Sequence, residues 1–443
     1  MSKRGIESLR ALAAILSTRR FLPICFAGFV LIRLAVLLIL PITPTSDSAW
    51  YVDRAMEIAN GEGYHEGSWP TAFWPIGYPA FLAGVFVLFG KHLLAAKLVN
   101  LALSCGIFRL TYRLGRALFG NELAARIAVL LLTIYPNQIA YTGALWSEML
   151  VTVLLLLGLH RYIRRRSLAA ALVTGVVFGC AALVKSQMLV IPAILGMASL
   201  ASAASIGAAI KTGLQNAVCV IGMLAVILPW SARNYGTFHH FVLISTNGGI
   251  TFVSGNNPEA RGDFTPESPL VAATHFTVAD QVAANQRAYT LGYAWIEAHP
   301  LAAARLLPLK VWRLWAPDGE GEWWFQRGYA GYDRNATAFR IARGANQAFY
   351  ALVLLAWIAS LPSLVRAASR DRAWLTLPLV MVLYLTMISM VYSGQSRFHF
   401  PVMPLIFTQV GWWLSQLVSA RQAVAEAARN NAAAASIPAL QRP

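Results

Sequence analysis

The chain has 443 residues, 57% hydrophobic and 12% charged, with 36 Lys and Arg against 19 Asp and Glu for a net charge of +17. So few polar groups cannot cover a water-soluble fold of this length. Apolar runs of about 20 residues, each long enough to cross a hydrocarbon layer of about 30 Å, identify an all-α polytopic membrane protein. The basic excess then reads as membrane topology and excludes a nucleic-acid partner.

A basic stretch over residues 1–20 precedes the first apolar run, 21–40, which is too long for a signal-peptide core and reads as an uncleaved span. That span carries Arg33, whose charge is too costly to face lipid and must turn to the bundle interior or a polar cavity. The loop that follows, 41–79, is acidic and aromatic in a basic protein: Asp47, Asp53, Glu57, Glu62 and Glu66 stand against Arg54 alone. Residues 78–90 are apolar but too short to span, and predict an interfacial or re-entrant helix. Further spans are predicted over about 93–111, 123–140, 149–162, 168–184, 188–204 and 213–230. The third breaks at Tyr135-Pro136, and Lys185 sits in the joint between the fifth and sixth. Residues 231–343 form the one long polar region, with strand-like patterning over 243–258 and an amphipathic helix over 301–315. Three closing spans, about 344–365, 373–392 and 399–418, bring the total to ten, followed by an Ala-rich tail over 419–443.

Placed on one side of the membrane, 42–78 and 231–343 hold 14 of the 19 acidic residues but 11 of the 36 basic ones. The asymmetry predicts both termini in the cytoplasm and both large loops outside. The domain order is a basic N-terminus, a transmembrane module over 21–230 containing the 42–78 loop, a mixed outer loop region over 231–343, closing helices over 344–418 and a cytoplasmic tail.

A carboxylate just outside a span serves as a general base when its surroundings tune it. Asp47 is the best placed, about seven residues past the first span; it also fits an N-cap for a helix starting at Ser48. Asp53 and Glu57, spaced i, i+4, read as a solvated face beside Arg54. Cations at headgroup depth would neutralise a lipid phosphate. The candidates are Lys185, Arg233, Lys310, Arg313 and Arg397, each of which also fits a snorkelling anchor. The eight histidines are dispersed and Cys25, Cys105, Cys180 and Cys219 lie in apolar runs, so neither a zinc site nor a disulfide framework is expected. Neither a Walker A sequence nor GxGxxG is present.

Asp47 in a first outer loop, followed by Tyr51, Ala55, the Gly61-Glu62-Gly63-Tyr64 turn and Trp74-Pro75-Ile76-Gly77-Tyr78-Pro79, resembles the bacterial GT-C membrane glycosyltransferases. The resemblance is to the branch grouping protein O-mannosyltransferase-like and lipid A aminoarabinose transferase enzymes. It extends through Leu228-Pro229-Trp230 with Arg233-Asn234, Ser245-Thr246-Asn247-Gly248-Gly249, Gly255-Asn256-Asn257-Pro258, and Ser396-Arg397-Phe398 with Pro401 and Pro404. It implies a GT-C-like bundle in the inner membrane that takes a sugar from a polyprenyl-phosphate donor at the periplasmic face and passes it, with inversion, to a lipid, glycan or protein acceptor. Asp47 is then the base, Lys185, Arg233, Lys310 and Arg397 hold the donor phosphate, and Arg33, Tyr51, Tyr64 and Trp74 line the pocket. Many relatives carry Asp-Glu in the first loop, whereas Ser48 follows Asp47 here. A second carboxylate would come from Asp53, Glu66 or Glu148. No metal ligands are assigned, and a divalent cation stays open. A flippase of lipid-linked saccharides shares the spans and cations without needing Asp47, and an O-antigen ligase or polymerase uses the same donor type but relies on a late loop.

Overall fold

The computed structural model describes residues 14–165, 167–368 and 370–435. Most of the basic N-terminal stretch, Arg166 and residues 436–443 of the tail lie outside these. The chain begins with α1 (Phe21–Ile39), α2 (Asp47–Ala59), a minimal hairpin of β1 (His65–Glu66) and β2 (Trp69–Pro70), and α3 (Gly77–Phe89). There follow α4 (Leu93–Phe119), α5 (Glu122–Ile134), α6 (Pro136–Gly143), α7 (Ser147–Arg164), α8 (Leu168–Val184), α9 (Ile191–Ala201) and α10 (Ile206–Phe238). The outer region supplies α11 (Gly248–Gly255), α12 (Gln281–Ala298), α13 (Pro300–Trp315) and α14 (Glu320–Gly328), before α15 (Ala336–Ala367), α16 (Leu377–Val391) and α17 (Met403–Ala435).

Helices stand at all ten expected span positions. Among the described residues, five are long and apolar enough to cross a membrane, or six when α5 and α6 count as one bent span. The others differ for readable reasons. Glu148, Arg161 and Arg164 make α7 polar at both ends, Gln409, Ser415 and Gln416 dilute α17, and α8 and α9 are short. The molecule is a multi-pass helical membrane protein.

Sequence punctuation sets the joints. Gly120 adopts φ 63°, closing α4, and Asn121 caps α5 by accepting from the Ala124 amide at 3.2 Å. The α5–α6 joint is a 58° bend. Pro136 has no N–H, so the Leu132 carbonyl loses its helical donor, and Arg33 replaces it. Its guanidinium donates to Leu132 O at 2.9 Å, Thr133 O at 3.2 Å and Gln138 Oε1 at 2.9 Å, lying 3.5 Å from the Phe29 ring centre. Arg33 is fully buried. It faces the bundle interior as expected, where it braces the bend.

The strand-like patterning of 243–258 is overturned: 248–255 is helical, and the described residues of 231–343 contain no strand. Tertiary packing overrides propensity there. A Cβ on Gly255 would sit 1.9 Å from Tyr392 O, so the missing side chain lets α11 lie against the end of α16. Gly77 has the same function for the first loop. A Cβ there would meet the Leu183 carbonyl at 2.6 Å, and this close approach fixes α3 against the last turn of α8, two residues before Lys185.

Candidate active site

Four charged side chains from distant parts of the chain meet where the first loop joins the bundle. Asp47 opens α2, and its Oδ2 accepts from Arg397 Nη1 at 3.0 Å; Glu148 opens α7, and its Oε1 accepts from Lys185 Nζ at 2.6 Å. The pairs are neighbours: Glu148 feels the Arg397 charge and Lys185 feels that of Asp47. Glu148 is fully buried, whereas Asp47 and Arg397 are each partly open to solvent.

Local structure aims each group. The N-cap of α2 is Ser46, at φ 54° and ψ −135°, with no side-chain cap bond. This settles the alternative raised by the sequence: Asp47 is the first helical residue, and its carboxylate binds Arg397 instead of capping. Arg397 comes from a 3₁₀ turn, Ser396–Val402, that distributes consecutive side chains in different directions. The Phe398 ring centre lies 5.1 Å from Lys185 Nζ and 5.3 Å from Arg397 Cζ. Arg397 Nε donates to Gln395 Oε1 at 2.7 Å while its guanidinium covers Trp146 at 5.0 Å. His399 points away into the core, its Nδ1 2.7 Å from Leu314 O and its Nε2 3.4 Å from the fully buried Asp318.

Aromatic groups form the floor. Tyr51 is buried among Trp74, Tyr78 and Trp146. Burial, reinforced by the Asp47 and Glu148 charges, pushes its hydroxyl well above the ordinary tyrosine range and keeps it neutral. Tyr64 donates to Trp74 O at 3.0 Å and packs edge-on to Trp50 and Trp230, so it builds the loop and does not face the charges.

The fold sorts the remaining candidates. Of the second-carboxylate candidates it brings Glu148 to Asp47; Asp53 is exposed on α2, and Glu66 lies in the β1–β2 hairpin. Arg54 forks onto Glu57, not Asp53. Two of the four expected phosphate ligands stand with other partners. Arg233 donates to Thr71 O at 3.0 Å and Tyr64 O at 3.1 Å, strapping the first loop to the end of α10. Lys310 is buried, its ammonium donating to Asn256 Oδ1 at 2.8 Å and Met390 O at 3.1 Å. Arg313 pairs at 3.4 Å with Asp263 on the surface. Sequence reasoning did not single out Trp146 or Asp318; the only hint of Asp318 was a Pro-Asp-Gly turn signal. Among the described residues no three His, Cys, Asp or Glu side chains gather closely enough to hold a metal ion.

A family model described as dolichyl-phosphate-mannose-protein mannosyltransferase matches residues 74–232. Among solved structures, the chain resembles the oligosaccharyltransferase AglB of Archaeoglobus fulgidus, solved with an inhibitory peptide and a dolichol-phosphate. The TM-score is 0.55 at 13% identity, over 96% of this chain and 52% of AglB. The chain carries the GT-C fold. An apo form of the same archaeal enzyme matches this GT-C chain with TM-score 0.54 and 14% identity, over 94% and 52% of the two chains. The chain thus spans about half the length of the archaeal enzymes it matches. ArnT of Cupriavidus metallidurans, solved with undecaprenyl phosphate, aligns at 17% identity over 89% of this chain and 78% of its own, with a TM-score of 0.43. No curated sequence matches.

Proposed function

We propose that this GT-C protein is an inverting glycosyltransferase of the bacterial inner membrane. It moves a sugar from a polyprenyl-phosphate donor to an envelope acceptor, a lipid A or core sugar, polysaccharide or protein, at the periplasmic face. The observation that carries the reading is the pairing of Asp47 with Arg397 beside the Glu148–Lys185 pair, two acids and two bases at the junction of loop and bundle. Charge asymmetry supports the outward orientation of the loop and cytoplasmic termini.

The chemistry follows from what each group can do. Asp47 takes the proton of an acceptor hydroxyl as its oxygen bonds to the anomeric carbon. The bond from that carbon to the phosphate oxygen breaks, and the electron pair leaves with the lipid phosphate. Arg397 and Lys185 stabilise the charge developing on that phosphate in a site of low dielectric. Before the donor arrives, Arg397 holds the Asp47 carboxylate at 3.0 Å. An incoming phosphate competes for the guanidinium and releases the carboxylate, which couples donor binding to activation of the base. Glu148 keeps the Lys185 ammonium charged in a buried setting.

The test is Asp47→Asn, assayed with a radiolabelled polyprenyl-phosphate sugar and an envelope extract. Transfer should fall at least 1,000-fold, of the order expected for losing the base and its charge partner together, while lipid-donor binding survives. Undiminished transfer would remove Asp47 from the chemistry.

A further inference from the structure

Asp318 lies between α13 and α14, fully buried, at the meeting point of three distant parts of the chain. Its carboxylate accepts from the Tyr135 hydroxyl on Oδ2 and from the Asn137 amide on Oδ1, both at the α5–α6 joint. Its backbone is held by α15. The Asp318 N–H donates to Gln347 Oε1 at 3.1 Å, and its carbonyl accepts from Gln347 Nε2 at 2.8 Å and from Asn346 Nδ2. The third neighbour is His399, also fully buried, whose Nε2 lies 3.4 Å from Asp318 Oδ1. Packing alone does not call for a carboxylate here, since an apolar side chain fills space without the cost of burying a charge. What a satisfied polar network adds is one fixed arrangement of the elements it joins.

Two of the elements joined in this way reach Trp146, the indole under Arg397. His399 belongs to the Ser396–Val402 turn that carries Arg397. A 3₁₀ turn has poorer internal hydrogen bonds than an α-helix, and Pro401 removes a donor from this one, so its direction is set from outside. The His399 ring sets it. It stacks on Trp315 at 5.5 Å and 7° and on Tyr350 at 5.0 Å and 19°, with its Nδ1 2.7 Å from Leu314 O. The second element is α14. Asn137, which donates to Asp318, accepts on its Oδ1 from the Gly321 N–H at 2.8 Å and so pins the first turn of that helix. One turn on, Trp324 packs against Trp146 with ring centres 3.9 Å apart, and Arg397 covers the same indole at 5.0 Å.

We propose that Asp318 is a positioning residue for the transfer reaction: through His399 and through α14 it fixes Arg397 and Trp146 so that the guanidinium meets Asp47 and the donor phosphate in one orientation. It acts at one remove, through side chains that reach the site. The part played in transfer rests on the glycosyltransferase reading; the placement of the turn and of α14 does not.

The experiment uses the purified full chain in detergent and the variant Asp318→Asn, which keeps the shape but leaves one acceptor oxygen where Tyr135 and Asn137 now use two. Amide hydrogen exchange over 396–402 and 321–328 should speed up about tenfold while α4 and α10 keep wild-type protection. Unchanged exchange in both segments overturns the proposal. Affinity for undecaprenyl phosphate should fall about tenfold, of the order of one charge-assisted hydrogen bond, and transfer from a radiolabelled polyprenyl-phosphate sugar about 100-fold. The affinity is then measured in an Arg397→Ala background. If Asp318 acts through Arg397, Asp318→Asn costs nothing further there, whereas a general loosening of the fold costs the same factor again. Additive losses therefore overturn the positioning role. His399→Phe keeps the stacked ring and removes both nitrogens; it should reproduce the losses, and it decides the matter if Asp318→Asn fails to fold. Wild-type lipid-phosphate affinity in His399→Phe overturns the route through the turn. If the wild type itself neither binds undecaprenyl phosphate nor transfers a sugar, the glycosyltransferase reading falls, and the exchange rates alone judge the placement by Asp318.

Discussion

Asp47 Oδ2 and Arg397 Nη1 meet at 3.0 Å across 350 residues of chain. The contact joins the start of α2 to a 3₁₀ turn near the last helix, so the geometry of one group depends on the other. Arg397 also covers Trp146 and receives orientation from Gln395. Arg397→Lys keeps the charge but loses the planar fork that makes these contacts together. Transfer should drop by about 100- to 1,000-fold, with weaker donor binding, in a protein of unchanged melting temperature. Wild-type rates from Arg397→Lys would show that only the charge matters.

The Glu148–Lys185 pair is buried on the Glu148 side, and removing one partner of such a pair leaves an uncompensated charge. Burial already pushes the Lys185 ammonium below its ordinary pKa, and the Glu148 carboxylate holds it up. Glu148→Gln should therefore destabilise by about 3–5 kcal/mol, and the deficit should shrink as rising pH lets the lysine go neutral. The double variant Glu148→Gln/Lys185→Met should recover most of it in detergent thermal melts. A double variant as unstable as the single would place the defect in packing.

Lys310 titrates in a convenient range. Burial pushes its pKa down from 10.5 to about 8. The unfolded chain therefore binds more protons than the folded one between these values, and stability contributed at this site rises with pH across that window. Relative to Lys310→Met, the wild type should gain on the order of 3 kcal/mol between pH 8 and 10.5. Parallel melting curves of the two proteins across this range would contradict it.

Arg33 and Pro136 form a complementary set. Arg33→Met leaves the Leu132 and Thr133 carbonyls without donors and should cost about 1–3 kcal/mol for each group left unmatched. Adding Pro136→Ala restores an N–H to the Leu132 carbonyl and should recover part of that loss, measurable by unfolding in detergent. No recovery would mean that Arg33 acts through packing on Phe29 instead.

Composition and apolar runs made the helical membrane architecture legible, because lipid leaves the backbone few alternatives. Asp47 and Arg397 were legible as motif residues in loops. What separated Lys185 from Arg233 and Lys310 was not. All three are cations at polar positions, and only the fold decides whether the nearest partner is a carboxylate of the candidate site or a backbone carbonyl such as Thr71 or Met390. The strand-like pattern at 248–255 misled because β-branched and glycine residues there serve a close helix contact.

Ser46 is a non-glycine residue at φ 54° and ψ −135°, a conformation that costs an L-residue about 1–3 kcal/mol. The residue before the proposed base is thus held under tension by its surroundings, much as a spring is held by a catch. Laboratory selection for heat tolerance should find Ser46→Gly early, because glycine releases that tension. The same release would let Asp47 wander from Arg397, so the hardier protein should be the slower catalyst.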